Sequence, residues 1–338
     1  MAMLKNDTRI SQKDVARLAG VARSAVSMHL NNYPGVAKAT QAKIQAAIEK
    51  LGYKPSRVAQ SLKRGSSMMI GTIFFGNPSG TIHDFVLLDL LQGVQKAAWE
   101  ENYVTSFFFH ENDSIEETLS NILKNNLEGL IIIEDNFNPS CLRGIDLPRV
   151  VINRKVRNIP SVYYDAKKGL VLAMRHLVSL GHRNIAFIGG PLDQKTFRER
   201  FSGYAETLTA AGSPLRDTLV RHNVTDTKDA YLATRELLAG KTPFTAVACD
   251  NDIKASGAID ALKDHGLQIP QDISVTGFDN IPLCEKITPR LTTVKTPRKE
   301  IGFRGAKMLM EMIKGITNGA DIEVPMSLIE RESCAKPL

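Results

Sequence analysis

With 338 residues, 43% of them hydrophobic and 23% charged, the chain has the composition of an ordinary water-soluble globular protein and the length for two or three compact units. The net charge of +7 is concentrated at one end: residues 1–67 carry twelve Lys/Arg against three Asp/Glu, a balance of +9, while the other 271 residues carry 31 against 33, a balance of −2. A small basic segment on a near-neutral body points to a nucleic-acid-binding head on a separate globular module, and the absence of any run near 18 uninterrupted apolar residues argues against a membrane span.

The start, MAMLKNDTRIS, lacks the apolar stretch of a secretory signal, so a cytoplasmic protein is expected. Cys141, Cys249, Cys284 and Cys334 are far apart, with no CxxC or Cys/His ligand spacing. Reduced, buried thiols follow, and neither a metal site nor a cofactor is expected.

In chain order, Ser11 with Asp14 three residues on reads as a capping box opening a first helix, with Val15, Leu18 and Ala19 on its apolar side and Gly20 as its stop. After almost no linker a second helix is expected from about Ala22 to Leu30. At ~100° per residue Val26 and Leu30 share its buried face, Ser24, Ser27 and Met28 lie across from them, and Arg23 sits in the first turn. Two short helices joined by a tight Gly-containing turn have the form of a helix-turn-helix, whose second helix enters the major groove. A third helix from about Thr40 to Leu51 repeats Ile44, Ala47, Ile48 and Leu51 at i, i+3, i+4, i+7, and Gly52 is placed to end it in a left-handed cap. Any three-helix bundle could show these spacings; the basic charge and the next segment favour DNA.

That segment is YKPSRVAQSLKRGSS, Tyr53 to Ser67. Ser56 can cap a helix of about two turns surrounded by Arg57, Lys63 and Arg64. A helix shorter than ~12–15 residues is marginal in water, so this one needs a partner to form. Its exposed Leu62 has the character of an apolar wedge for a minor groove.

The stretches DVARLAGVARSAVSMHLNN and IEKLGYKPSRVAQSLKRG strongly resemble the LacI/GalR family of bacterial transcription regulators, and the likeness extends over nearly the whole chain. The resemblance implies that Arg23, Ser24, Ser27 and Met28 occupy base-reading positions. It also implies that Leu62 intercalates at the operator centre, with Lys63 beside it in the minor groove and Arg57 on the same hinge helix. Two departures stand out. Ala22 takes the place of the usual Ser or Thr cap, worth about 1 kcal/mol. Met28 takes a place where many members carry arginine; arginine can donate bidentately to guanine, whereas methionine suits a thymine methyl.

From Met68 onward short apolar runs alternate with helical patterns: MMIGTIFFG, VTSFFFH, GLIII, RVVIN, NIAFIGG, TAVACD and ISVTGF are the runs, with DLLQGVQKAAWEEN, IEETLSNILKNN and GLVLAMRHLVSLG among the helices. Continuous apolar runs are those of parallel strands buried on both faces, and the βαβ alternation argues for doubly wound sheets. The segment is too long for one such unit, so two lobes with a ligand cleft between them are expected. The expected organisation is a small all-α helix-turn-helix head (1–55), a hinge helix and linker (56–67), and an α/β body (68–338). By the resemblance the body is periplasmic-binding-protein-like, and PRLTTVKTP matches the crossover between its lobes. The first lobe then takes about 68–165 and 296–324, the second about 166–295 and 325–338.

An enzyme is the weaker reading. The Gly pair of AFIGGPLDQ is neither GxGxxG nor a Walker loop, and His176 and His182 lie in a stretch that reads as scaffold. Candidate effector contacts come by resemblance from strand-end loops: Asn251 and Asp252 in CDNDIKASG, Asp279 in VTGFDN, Arg200 in RERFSGY, and Asn153 in VVINR where the family often has Asp. Arg, Asn and Asp converging on a cleft supply the donors and acceptors that a polyol demands; the plainer role for Asp252 is a helix cap, and for Asp279 a turn. The loop GNPSGTIHDF keeps Asn77-Pro78 but not the family's aromatic pair, and Lys254 replaces a usual apolar residue. The expectation is a cytoplasmic homodimeric repressor that binds a pseudo-palindromic operator under the control of a small effector, a sugar or sugar derivative. A nucleobase or a protein partner is the alternative, and a transport-type sugar-binding protein is opposed by the basic head.

Overall fold

In a computed structural model of the chain, residues 10–30, 33–53, 66–75, 81–110, 115–133 and 139–338 are described. They fall into two compact units, one ending at Ser67 and one starting at Met68.

The first unit is a three-helix domain, with α1 over Gln12–Ala19, α2 over Arg23–Leu30 and α3 over Lys38–Leu51. The Asp14 carboxylate reaches back to the Ser11 amide (3.0 Å) and hydroxyl (2.7 Å), tying down an N-terminal turn whose N–H groups have no helical partner. Gly20 (φ 65°) and Gly52 (φ 62°) end α1 and α3 in the left-handed region, where a Cβ would be disfavoured. Val15, Ala16, Val26, Ile44, Ala47 and Tyr53 form the core. Leu18 departs from expectation: it is exposed, and Ala16 is buried instead. On a ~100° wheel Val15, Ala16 and Ala19 centre on one direction, and Leu18 points about 110° away from it.

The second unit has two six-stranded sheets. The first runs β11-β5-β4-β3-β1-β2, entirely parallel, and the second β12-β10-β9-β8-β6-β7, parallel except for β12 against β10. The first sheet takes β1 (Met69–Phe75), β2 (Val104–His110), β3 (Gly129–Ile133), β4 (Arg149–Asn153), β5 (Ser161–Tyr163) and β11 (Ile322–Glu323). The second takes β6 (Ile185–Ile188), β7 (Val220–Arg221), β8 (Ala246–Cys249), β9 (Ser274–Asp279), β10 (Thr292–Lys295) and β12 (Ser327–Ile329). In β3, β6 and β8 every residue is buried, because helices cover both sheet faces.

The helices of this unit are α4 (Thr81–Glu100), α5 (Ile115–Leu123), α6 (Ala166–Leu180), α7 (Lys195–Ala210), α8 (Thr227–Ala239), α9 (Asp252–Asp264) and α10 (Arg298–Ile313). The chain passes between lobes three times, after Tyr163, after Lys295 and after Glu323. The second passage brings α10 back onto the first lobe beside α4. A Cβ at Gly93 would stand 2.1 Å from the Lys299 carbonyl and one at Gly302 2.1 Å from that of Leu90, so the two helices approach where only glycine fits. In each sheet the strand order reverses beside its first strand, between β1 and β3 and between β6 and β8. Ligands of doubly wound sheets bind outside the carboxyl ends of strands at such switch points.

Candidate functional site

Two surfaces carry the candidate residues, one on each unit. On the head, Arg23 and Ser24 are exposed at the first turn of α2, Ser24 on the side away from the buried Val26. Arg23 forms no ion pair among the described residues, so its guanidinium is available to an acceptor such as a phosphate or a base edge. Ser27 and Met28 differ from expectation in being half-buried rather than open. The backbone after α2 folds back over its last turn, with the Tyr33 amide donating to the Met28 carbonyl at 3.0 Å, and a Cβ at Gly35 would lie 3.2 Å from the Met28 methyl. Met28 is therefore held in place by its own domain rather than swinging freely from the helix. Arg57, Leu62 and Lys63, together with the Asn77-Pro78 loop, lie outside the described residues.

In the second unit the carboxyl ends of β8 and β9 and the N-terminal half of α7 bring a buried polar cluster together. Arg200 projects from α7 and is 4% exposed. Its guanidinium lies 3.8 Å from the centre of the Phe278 ring and donates to the Asp250 carbonyl (2.5 Å), the Tyr164 hydroxyl (3.2 Å) and Asp279 Oδ1 (3.4 Å). Asp279 closes β9 with φ at 115°, a left-handed backbone costly for a residue with a Cβ. The same Oδ1 accepts from Arg298 Nη2 at 2.5 Å, so one carboxylate holds two buried guanidiniums. Tyr164 and Arg298 each stand within three residues of a passage between lobes, which ties the cluster to the segments that set the lobe angle.

Asp250 and Lys254 form a second buried pair. Lys254 Nζ donates to Asp250 Oδ1 at 2.6 Å and lies 4.5 Å from the centre of the Phe197 ring, while Asp250 Oδ2 accepts the Gly190 amide at 2.6 Å. Neither side chain is more than 1% exposed. Asp250 stands between the end of β8 and the cap of α9, and Lys254 lies in the first turn of that helix. A buried lysine is tolerated when a carboxylate and an aromatic face replace its water.

Asn251 and Asp252 exchange their expected places. Asn251 is the cap: its Oδ1 accepts the Lys254 amide at 2.9 Å. Asp252 follows as the first helical residue and faces the protein interior, accepting from the Ile281 amide (2.9 Å) and the Thr293 hydroxyl (2.5 Å). Burial, with the nearby Asp279 charge, pushes its pKa up to about 7. His182 is buried among Thr245, Ser274 and the Ala335 carbonyl, a scaffold position.

Asn153 ends β4 with φ at 79°, and its Oδ1 is buried with no hydrogen-bond partner. It lines a cavity of about 320 Å3 whose walls come from both lobes: Asn153, Arg154, Tyr163 and Tyr164 on one side, Lys195, Thr196 and Glu199 of α7 on the other. The Tyr164 hydroxyl links this cavity to Arg200 and so to Asp279. Of the candidate effector contacts, Arg200 and Asp279 are brought together, Asn153 faces the adjoining cavity, Asn251 serves the helix cap and Asp252 faces the interior. Tyr164, Asp250, Lys254 and Arg298 join the cluster without having been marked as contacts in the sequence, although Lys254 had stood out as a lysine in a usual apolar place.

Comparison with known proteins places both units. The family model described as bacterial regulatory proteins, lacI family, matches residues 6–56, and that of a periplasmic binding protein-like domain matches 174–334. The chain is 34% identical over 310 residues to a probable HTH-type transcriptional repressor, ExuR, of Bacillus subtilis, covering 90% of this chain and 92% of that protein. It is 33% identical over 334 residues to the HTH-type transcriptional repressor PurR of Erwinia tasmaniensis, covering 96% of each. Among solved structures, the Lac repressor dimer bound to operator and the anti-inducer ONPF is similar, with a TM-score of 0.83, 25% identity and coverage of 97% of this chain and 100% of that one. The complex of the transcriptional regulator CelR with cellobiose matches with a TM-score of 0.71, 28% identity and coverage of 96% and 100%.

Proposed function

The chain belongs to the lacI family of bacterial regulatory proteins, and from that premise we propose that it is a homodimeric transcriptional repressor whose operator affinity is set by a small polar molecule bound between the lobes of its body. The observation that carries the effector half of this reading is the buried Arg200–Asp279–Arg298 cluster at the strand ends, opening through Tyr164 onto a cavity walled by both lobes. Residues 1–55 act as the DNA-binding head, 56–67 as the hinge and 68–338 as the effector-binding and dimerising body. The relatives named above are regulators, which supports a regulator rather than an enzyme. It works in the cytoplasm, where its DNA is, and among the described residues no helix is long and apolar enough to cross a membrane.

On the head, Arg23, Ser24, Ser27 and Met28 read base edges in the major groove, and the hinge residues Arg57, Leu62 and Lys63 contact the minor groove, Leu62 as the wedge. Two heads on one dimer read the two halves of a pseudo-palindromic operator. The face that seats the second copy is the apolar surface of α4 and β2, where Leu88 (53% exposed), Trp99 (76%) and Phe107 (40%) stand in solvent around a groove of about 540 Å3, with Phe109 (46%) exposed further along β2. Isolated exposed apolar residues are ordinary, but a contiguous aromatic and aliphatic patch marks an interaction surface.

Effector binding couples to DNA through the crossing segments. A ligand that draws on Arg200 and Asp279 also acts on Tyr164 and Arg298, so it favours one lobe angle over another, and the hinge follows. The polar set suits a sugar or sugar derivative, and the CelR–cellobiose complex supports that class. The test is anisotropy of a labelled operator duplex titrated with the full chain in the presence of sugars, sugar acids and nucleobases. Parent protein should change its operator affinity with one of them, and Asp279→Ala should bind operator while losing the response. An Asp279→Ala chain that responds like the parent would overturn the reading.

A further inference from the structure

Three arginines meet at the end of the first lobe that lies opposite the cavity between the lobes. Arg149 opens β4, Arg143 follows a short 3-10 turn at Pro139–Leu142, and Arg157 stands between β4 and β5. With Ser140 and Asn158 they line a separate cavity of about 340 Å3. Asn153 and Tyr163, the last residues of β4 and β5, belong to the interlobe cavity, so the length of β4, about 13 Å, lies between the two sites. Because β1, β3 and β4 are parallel, the arginines stand at the same end of the sheet at which the chain enters β1.

The walls are fixed by bonds that leave the charges unanswered. Arg149 is half-buried, and its Nη1 donates to the carbonyls of Leu142 (3.3 Å) and Ile145 (2.8 Å), which holds both its own guanidinium and the segment that carries Arg143. The turn that carries Arg157 is pinned by the Ser161 hydroxyl, which accepts the Val156 amide (3.1 Å) and donates to the Ile159 carbonyl (2.8 Å). No carboxylate among the described residues lines the cavity. Asp146 lies between Arg143 and Arg149 in sequence, yet none of the three arginines forms an ion pair among the described residues. Elsewhere on this unit surface cations meet carboxylates, as Lys155 meets Asp321 and Lys307 meets Glu101. Like charges held together by the backbone repel one another, and an anion entering between them replaces that repulsion with attraction.

We infer that this cavity is a second ligand site, one that takes a phosphoryl group, either as inorganic phosphate or as a small phosphate monoester. A guanidinium donates through a planar fork that matches two oxygens of an oxyanion. Three forks around one cavity need more oxygens, and more negative charge, than a single carboxylate offers. A phosphoryl group carries three or more terminal oxygens and a charge near −2 at neutral pH. Bound there, it ties together the 3-10 turn, the start of β4 and the turn before β5. A concave site of this size suits a small anion, whereas a DNA backbone presents a convex row of phosphates.

The experiment is calorimetry on the full chain in chloride buffer at fixed ionic strength, with inorganic phosphate, glycerol phosphate and acetate as probes. Inorganic phosphate or glycerol phosphate should bind saturably and at least about 10-fold more tightly than acetate. Equal binding of the two makes the phosphoryl group the whole ligand, and tighter binding of glycerol phosphate identifies a monoester. Arg143 and Arg157 are exposed and bond to nothing among the described residues. Arg143→Gln/Arg157→Gln should therefore keep the melting temperature measured without phosphate while binding phosphate at least about 10-fold more weakly. Each single variant should show an intermediate loss, so the assignment does not hang on one preparation. Phosphate that binds no better than acetate, or that binds the double variant as tightly as the parent, would overturn the inference. So would operator titrations in phosphate-free buffer in which the double variant loses about 0.9 of the log–log salt slope for each contact removed, since those arginines would then serve the DNA backbone.

Discussion

Lys254→Met tests whether the Asp250–Lys254 pair holds the second lobe together. Both groups are essentially inaccessible to water and their charged atoms are 2.6 Å apart. Removing the ammonium leaves the Asp250 carboxylate in the interior with only the Gly190 amide as a donor, also at 2.6 Å. Breaking a buried pair from one side costs about 3–5 kcal/mol, because the surviving charge has lost both its partner and its water. At roughly 2–4 °C per kcal/mol for a domain of this size, the melting temperature should fall on the order of 10 °C. Asp250→Asn/Lys254→Met removes both charges yet keeps an acceptor for Gly190, so it should recover to within about 1 kcal/mol of the parent. Urea and thermal unfolding of the full-length parent, both single variants and the double variant would complete the cycle. A Lys254→Met chain as stable as the parent, or a double variant no better than the singles, would refute the reasoning.

Other consequences can be checked in the same preparations. Burial lets Asp252 keep its proton to about pH 7 in the folded chain, where a solvated aspartate loses it near pH 4. Its contribution to stability is thus fully present below pH 4 and is lost as pH rises to 7, on the order of 4 kcal/mol in all; Asp252→Asn should flatten the fall in unfolding free energy between pH 4 and 7, and an unchanged slope would assign it to other groups. Met28→Arg should move the preferred base at one operator position from thymine to guanine, with discrimination of about 1–3 kcal/mol; a parent protein that already selects guanine there would exclude thymine reading. Trp99→Asp puts a charge on the apolar face of α4 and should shift the mass seen by light scattering from dimer to monomer at micromolar concentration, whereas an unchanged mass would place the interface elsewhere.

The parts of the fold legible in the sequence are those where periodicity is long or chemistry is local. The seven apolar runs correspond to β1, β2, β3, β4, β6, β8 and β9, and the three head helices emerge, α1 and α3 with their glycine caps. The strands without an apolar run of their own are β5, β7, β11 and β12, which have two or three residues each, and β10, whose four residues begin with the polar pair Thr292-Thr293. Leu18 was assigned to the core because helical spacing constrains a face only to within a turn, and tertiary packing chose Ala16. In the site, Arg200 and Asp279 were legible through resemblance alone, since nothing in local pattern joins residues 79 positions apart. Asp250 and Lys254 carry a local signal, an acid just after an apolar strand and a lysine four residues on, in the first turn of the next helix. It is a weak signal, because charge pairs at this spacing usually lie in solvent. Arg298 and Tyr164 had no signal of their own; their role follows from where the chain changes lobes.

The central claim is that the basic head reads a two-fold operator as a dimer. Selection of duplexes from a random pool by the full chain, followed by affinity measurement across salt, tests it most directly. The pool should be enriched in one inverted repeat, bound by a dimer, with log affinity falling linearly and steeply against log salt concentration as Lys and Arg displace counterions. A pool that emerges without a repeated half-site, or binding that ignores salt, would contradict it.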